Sequence, residues 1–464
     1  MKTIRPVVIA ALLVALSAAP LYAQSDRLAV QEGKVGSYAD EVASSLNIPS
    51  LAVGVVGTDE THYLDISGEG ETDEPFLIGS LSKSVTAMAV MLLVDDGAIS
   101  LDDAAAEYVD GVPDDVTVED LLRHRSGLDR ADGFDAWSQT DATVREAVEA
   151  ASWDAEGDES SYANLNYEIL GVVIEEASDE SFADFVDGRI FTPLGLEHAS
   201  AAPEPPDERI VGHQYLFGFP VAFDEPAYNP AAVPSGFVWM SAEDMEVWMR
   251  TFLEGGRIDG EQVIPASVVE ALLDEEGEYA MGWATGRESG SPSFSHTGLT
   301  GAFSAAATMV PERNVAVFAL ANVNSWMGSA PESVVESVVG AALRGETQSH
   351  SNLEFLVRLG FGLLCFFVVL LFLKEVLQWV TGRRPVALDK QARKAVLLDV
   401  FIAAAVIAGT VLFFGVSPLG MLAAAPDLGI GFLLLVFVLP LRRLVHGFNA
   451  TEERRVIVGD EVDQ

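Results

Sequence analysis

The sequence predicts a fold of the α/β class in its α+β form. An antiparallel sheet is built from both ends of one domain, a helical region is inserted between them, and three transmembrane helices follow. Three observations predict it. β-rich runs sit early, at residues 51–57 (Leu-Ala-Val-Gly-Val-Val-Gly) and 61–66, and return late, at 303–310 and 315–321. The stretch from about 100 to 200 reads as helices and loops instead. The last 110 residues hold three long apolar runs.

Taken in order, the elements justify themselves. Lys2 and Arg5 precede an apolar run over 7–21, and Leu21-Tyr22-Ala23 before Gln24 resembles a small-residue cleavage site, so residues 1–23 read as a secretory signal. The alternative is an uncleaved anchor helix. Residues 24–350 then form one domain of ordinary size. The short turn between 57 and 61 makes the first two strands a pair. Residues 76–94 are too apolar for a surface helix, so the helix that follows Ser80 and ends near Gly97 is expected inside the domain. Pro311-Glu312-Arg313-Asn314 turns the chain between the late strands, and a closing helix follows Pro331. Residues 291–293 (Ser-Pro-Ser) and 347–352 read as short loops or linkers, and no internal repeat is present.

Residues 351–464 read as a membrane domain with spans at about 353–373, 395–415 and 424–441. The segment between the first two carries Lys374, Arg383, Arg384, Lys390, Arg393 and Lys394, and Arg442 and Arg443 follow the third. The excess of positive charge places that segment and the tail in the cytoplasm. The first span then starts outside, which agrees with an exported domain. The expected location is therefore the cell membrane, multi-pass, with the large domain extracytoplasmic and lipid as a partner of the C-terminal helices. Asp399, costly in lipid, should face another helix or an interface.

The formal net charge is −43. From residue 352 onward the balance is 11 Lys and Arg against 10 Asp and Glu, so 16 basic and 60 acidic residues, a net −44, precede it. Such an excess argues against nucleic acid as a partner. The acids are interleaved with apolar periodic segments, so this is a folded domain with a carboxylate-rich surface rather than a disordered tail. A surface of that kind suits concentrated salt, which screens self-repulsion, and implies a halophilic source. The single cysteine, Cys365, excludes an intrachain disulfide, and no cysteine cluster supports a zinc site.

Between residues 35 and 373 one lysine is present, Lys83, and it stands three residues after Ser80 in Gly-Ser-Leu-Ser-Lys. On a helix the two share a face, one turn apart. A serine hydroxyl is a poor nucleophile and needs a neighbour that takes its proton or holds charge beside it. Tyr162-Ala163-Asn164 puts a phenol and an amide two residues apart, so in extended backbone their side chains point the same way. A tyrosine acts as a base only if cations lower its pKa, which Lys83 could do. His296-Thr297-Gly298 precedes the strand at 303–310, and a histidine beside a pocket could donate to an oxyanion or to a substrate carboxylate. Alone, a structural tyrosine or histidine explains either of these two motifs as well. His124 and Ser126, in Leu-Leu-Arg-His-Arg-Ser-Gly-Leu (121–128), read as structural supports of the loop under the pocket.

In this order, Ser-x-x-Lys, Tyr-x-Asn and His-Thr-Gly resemble the serine β-lactamase and penicillin-binding superfamily, in its class C-like branch with D-Ala-D-Ala carboxypeptidases, D-aminopeptidases and esterases. The resemblance covers about residues 40–345 and extends to residues 121–128, 193–196 (Pro-Leu-Gly-Leu) and 311–314. It implies that Ser80 is acylated, that Lys83 and Tyr162 handle the proton, and that Asn164 contacts substrate. It also implies an oxyanion hole made by the backbone N–H groups of Ser80 and Leu299. His296, Thr297, Gly298 and Leu299 thus join the site. Members that destroy β-lactams well usually carry lysine where this chain has His296, whereas esterase and peptidase members often carry histidine. No metal or organic cofactor is implied.

The expected function is a membrane-anchored serine hydrolase acting through an acyl-enzyme on an ester or amide, with a small molecule or a peptide, including one of D-amino acids, as substrate. A β-lactamase or carboxypeptidase proper is the alternative. A penicillin-type sensor is a reading of another class. It would need a cytoplasmic effector, for which the segments at 374–394 and after 442 are too short.

Overall fold

The computed structural model describes residues 32–345, apart from 130–131, 133–142, 154–160, 224–226, 276 and 325–329, together with isolated positions between 359 and 370. The leader at 1–23 and the spans expected at 395–415 and 424–441 lie outside the described residues, as does most of the one at 353–373. Among the described residues no helix is long and apolar enough to cross a membrane.

Seven strands form the central antiparallel sheet: β1 (Ser50–Gly57), β2 (Thr61–Gly68), β3 (Tyr279–Ala280), β4 (Trp283–Glu288), β5 (Ser291–Leu299), β6 (Ser304–Val310) and β7 (Val315–Ala321). Their order is β2-β1-β7-β6-β5-β4-β3, so the early and late strands meet in the middle. The seam is β1 against β7, in register from Leu51↔Ala321 to Gly57↔Val315. The sheet is therefore made from both ends of the domain, as the sequence predicts, with the helical region inserted between β2 and β3.

Both faces of the seam are covered, which is why β1 and β7 read as unbroken apolar runs rather than alternating ones. Ala52, Val56, Ala316, Phe318 and Leu320 join the large core under the helical region. Leu51, Val53, Val55, Val317 and Ala319 join a second core beneath α1 (Glu32–Leu46) and the closing helix. Gly54 lies opposite Phe318, whose ring would be 2.2 Å from a methyl there, so the aromatic fills the space a side chain would take.

The helix expected after Ser80 is α2 (Ser82–Asp95), buried from Ser82 to Leu93 and entered through a 3-10 turn at Gly79–Leu81. The inserted region also holds α3 (Asn164–Ser178) and α4 (Ala242–Leu253), and the domain closes with α5 (Ala330–Arg344). Three helices start on their own sequence signals: Thr117 with Asp120, Thr143 with Glu146 and Ser241 with Asp244 each form a capping box.

Two local readings are corrected. Residues 291–293 are not a loop but the start of β5, and His296-Thr297-Gly298 lies within that strand rather than before one. Polar Ser-Pro-Ser hides the strand in the sequence. Pro292 pairs with Arg287 of β4 but precedes the stretch bound to β6, which begins at Phe294, and such a position tolerates proline.

Candidate active site

The site is assembled where the start of α2 meets β5, and two glycines let the backbones touch. A methyl built on Gly79 would lie 2.4 Å from the amide nitrogen of Leu299, and one on Gly298 would lie 2.0 Å from the Ile78 carbonyl oxygen and 3.1 Å from the Ser80 nitrogen. Gly79 also has φ of +55°, in the left-handed region. The amides of Ser80 and Leu299 are thus brought side by side. Ser82 fixes the turn from the other side: its hydroxyl donates to Gly79 O at 2.7 Å and accepts from the Val238 amide at 3.0 Å.

Lys83 is fully buried one turn beyond Ser80. Its Nζ lies 2.6 Å from the Ser235 carbonyl oxygen, 2.8 Å from Asn164 Oδ1 and 3.2 Å from Ser80 Oγ. A protonated lysine donates all three bonds. In a neutral amine the two hydrogens go to Ser235 and Asn164, which can only accept, and the lone pair is left for the Ser80 hydroxyl. Burial lowers the lysine pKa to about 7, with the Glu168 carboxylate opposing the shift. The neutral form is therefore accessible near neutral pH.

Glu168 is buried on α3 one turn after Asn164 and accepts from the Ser235 hydroxyl at 3.2 Å. Sequence reading passed over it, though its i+4 spacing from Asn164 puts both on one helix face. Ser235 carries no such signal, because its backbone carbonyl is what binds Lys83.

Tyr162 reaches the site from the segment before α3, and Lys83 Nζ stands 4.9 Å from its ring centre. His124 holds that segment, as the sequence suggests. Its carbonyl accepts from the Ser161 amide at 3.1 Å, and its Nδ1 accepts from the Ala163 amide at 3.3 Å. Asn166 links that ring to Ser126, with bonds of 2.9 and 2.5 Å. Because Nδ1 accepts the Ala163 amide, His124 is the Nε2–H tautomer. Burial, with Lys83 and His296 nearby, holds its pKa well below the usual value.

His296 is turned differently from what the sequence suggests. Its Nδ1 lies 2.7 Å from the Thr297 carbonyl oxygen, which can only accept, so Nδ1 carries the proton. Its Nε2 lies 3.0 Å from the Tyr279 hydroxyl, which donates to it. Burial, then Lys83, pushes the histidine pKa down to about 3. The ring is neutral and both nitrogens are engaged within the protein. Burial holds the Tyr279 phenol well above its usual pKa, so it remains a donor. Tyr279 carried no sequence signal.

These side chains open on a cavity of about 660 Å³ lined by Ser80, Tyr162, Tyr279, His296, Thr297 and Leu299, with Glu288 and Arg344 also on its wall. That is ample for a small ligand. Glu288 and Arg344 are ion-paired at 2.9 Å. One wall is the outer edge of β5: β6 pairs with Phe294–Leu299, whereas β4 pairs only as far as Ser295. Among the described residues no group of three His, Cys, Asp or Glu side chains is placed to hold a metal ion.

Comparison with known proteins bears on the family and the fold. The sequence model of the Beta-lactamase family matches residues 32–334. Protein flp of Staphylococcus aureus (strain MW2) is 25% identical over 275 residues, 53% of this chain and 53% of that protein. The chain thus spans about half the length of the flp relatives. Penicillin-binding protein 4 of Amycolatopsis lactamdurans is 30% identical over 317 residues, 61% of this chain and 83% of the relative. A solved D-stereospecific amidohydrolase from Streptomyces sp. superposes with a TM-score of 0.56 at 20% identity, over 68% of this chain and 100% of its own.

Proposed function

The chain belongs to the Beta-lactamase family, and on that premise we propose that it is a serine hydrolase whose Ser80 is acylated by an ester or amide. The observation that carries the proposal is the triple contact of Lys83 Nζ with Ser235, Asn164 and Ser80. Neutral Lys83 takes the Ser80 proton as Oγ attacks the substrate carbonyl carbon. The amides of Ser80 and Leu299 hold the oxyanion that develops. The intermediate collapses, the carbonyl–heteroatom bond breaks, and the leaving group takes a proton through Lys83 and Tyr162. Water then repeats the sequence on the acyl-enzyme and releases Ser80. Asn164 holds Lys83, Gly298 lets β5 close on the Ser80 turn, and Thr297 and Leu299 form the wall on which the substrate lies.

The substrate class follows from the wall. The open edge of β5 suits an extended amide that adds as a further strand. Neutral His296 supplies no cation for a carboxylate, which favours esters and neutral amides over β-lactams. A D-amino-acid amide fits this description, and the fold likeness to the amidohydrolase is in keeping with it. A β-lactamase or carboxypeptidase proper remains the second reading, supported by the likeness to penicillin-binding protein 4. We also propose that residues 1–23 export the domain, that residues 351–464 anchor it in the membrane, and that its excess of acidic residues adapts it to high salt. A hydrolysis panel on the full-length protein in about 2 M NaCl, where the Debye length is shortest, tests the substrate class. Nitrocefin, p-nitrophenyl butyrate and D-alanine p-nitroanilide would be compared. Turnover of the ester and the anilide with little of nitrocefin is expected; preference for nitrocefin would favour the second reading.

A further inference from the structure

Among the described residues six large apolar side chains stand exposed: Val211, Phe219, Val221, Leu363, Phe366 and Leu370, between 43% and 57% accessible. They fall in two segments. The first surrounds a hairpin whose strands are His213–Leu216 and Phe219–Ala222. In the second, the described residues Leu363, Phe366 and Leu370 are helical, and spacings of three and four place them on one face. The segments touch, for a methyl on Gly362 would lie 2.7 Å from Phe217 Cγ.

Three further features point to lipid. Residues 210–223 contain no Asp or Glu, whereas about one residue in six is acidic over the first 351. Phe217 has φ of +53° in the turn, a conformation that β-carbons resist and that asparagine or glycine would adopt with less strain. An aromatic is kept at the tip at that cost. Phe219–Ala222 is also the edge of its three-stranded sheet, with Phe219 and Val221 on one face. An apolar edge of that kind invites aggregation unless something covers it.

We propose that the 213–222 hairpin docks into the phospholipid bilayer, beside the apolar segment that enters it. The proposal rests on the reading of residues 353–373 as a membrane span. Exposed apolar patches rarely occur without an occupant, and the adjoining apolar segment, read as a span, makes lipid that occupant. Gln214 of the hairpin donates to Gly301 O at 3.1 Å, and Leu299, two residues earlier, lines the catalytic cavity. The docked hairpin therefore fixes the height of that cavity above the lipid.

The test uses the full chain in phosphatidylcholine vesicles. Cys365→Ala provides a cysteine-free background. Spin labels are then placed singly by Phe219→Cys, Val221→Cys, Leu370→Cys and, as an exposed reference, Glu261→Cys. Collision with oxygen and with a water-soluble nickel chelate reports depth. Labels at 219 and 221 are expected to favour oxygen over nickel, as 370 does, and 261 the reverse. If 219 and 221 behave as 261 does while 370 stays in lipid, the hairpin is aqueous and the proposal is overturned, though the span survives. Labels at 219 and 221 shielded from both agents would mean protein covers the hairpin, which also overturns it. An aqueous 370 removes the span and the proposal together.

Discussion

Lys83 and Glu168 are joined through one residue: the Ser235 carbonyl accepts from Lys83 Nζ at 2.6 Å, and the Ser235 hydroxyl lies 3.2 Å from Glu168 Oε1. Burial drives the lysine towards its neutral form and the carboxylate resists. The balance leaves its pKa at about 7, where a general base for a neutral-pH reaction is best placed.

The pH profile should carry that value. Below about pH 7 Lys83 is charged and has no lone pair for Ser80, so kcat/KM for an uncharged ester should fall by about tenfold per unit. Above it the rate should level off. A rate that stays flat from about pH 5 to 9 would remove Lys83 as the base.

Glu168→Gln should move the same limb to lower pH. The carboxylate raises the lysine pKa, so its loss lets burial depress it further. Glutamine keeps the size and an acceptor for Ser235. A lower plateau rate with an unmoved midpoint would mean that Glu168 matters only for packing.

His296→Lys should raise the ratio of kcat/KM for nitrocefin to that for p-nitrophenyl butyrate. The native ring is neutral, with its pKa near 3. An ammonium on the same wall would favour an anionic substrate by about 1 kcal/mol, roughly fivefold. A level or falling ratio in a folded variant would show that position 296 does not face the carboxylate.

Salt should stabilise the acidic domain. Self-repulsion of its excess negative charge reaches about 30 Å at 0.01 M ionic strength but about 3 Å at 1 M. The Tm should climb as NaCl rises to about 2 M. A flat or falling curve would contradict the halophilic reading and leave the hydrolase reading intact.

What was legible in the sequence was what depends on side-chain type and spacing. Ser80 and Lys83 declare themselves by i, i+3 spacing within a helix too apolar for the surface, and that helix is buried from Ser82 to Leu93. The seam strands declare themselves because burial on both faces leaves an apolar run. What was not legible depends on the backbone or on distant chain. Any residue could supply the carbonyl that Ser235 offers Lys83. Tyr279 gains its role only because β3 and β4 fold against β5. His296 misled because its residue type suggests a donor to substrate, whereas the Thr297 carbonyl and the Tyr279 hydroxyl engage both ring nitrogens. The polar start of β5 hid the strand itself.

The most direct test of the account is covalent labelling of Ser80. Full-length protein would be treated with a fluorophosphonate probe in high salt at about pH 8, where Lys83 is mostly neutral. Peptide mapping should find a single adduct on Ser80, and Ser80→Ala should lose both the adduct and esterase turnover, the latter by about 10³-fold or more. Undiminished labelling of the alanine variant, or an adduct on another residue, would contradict it.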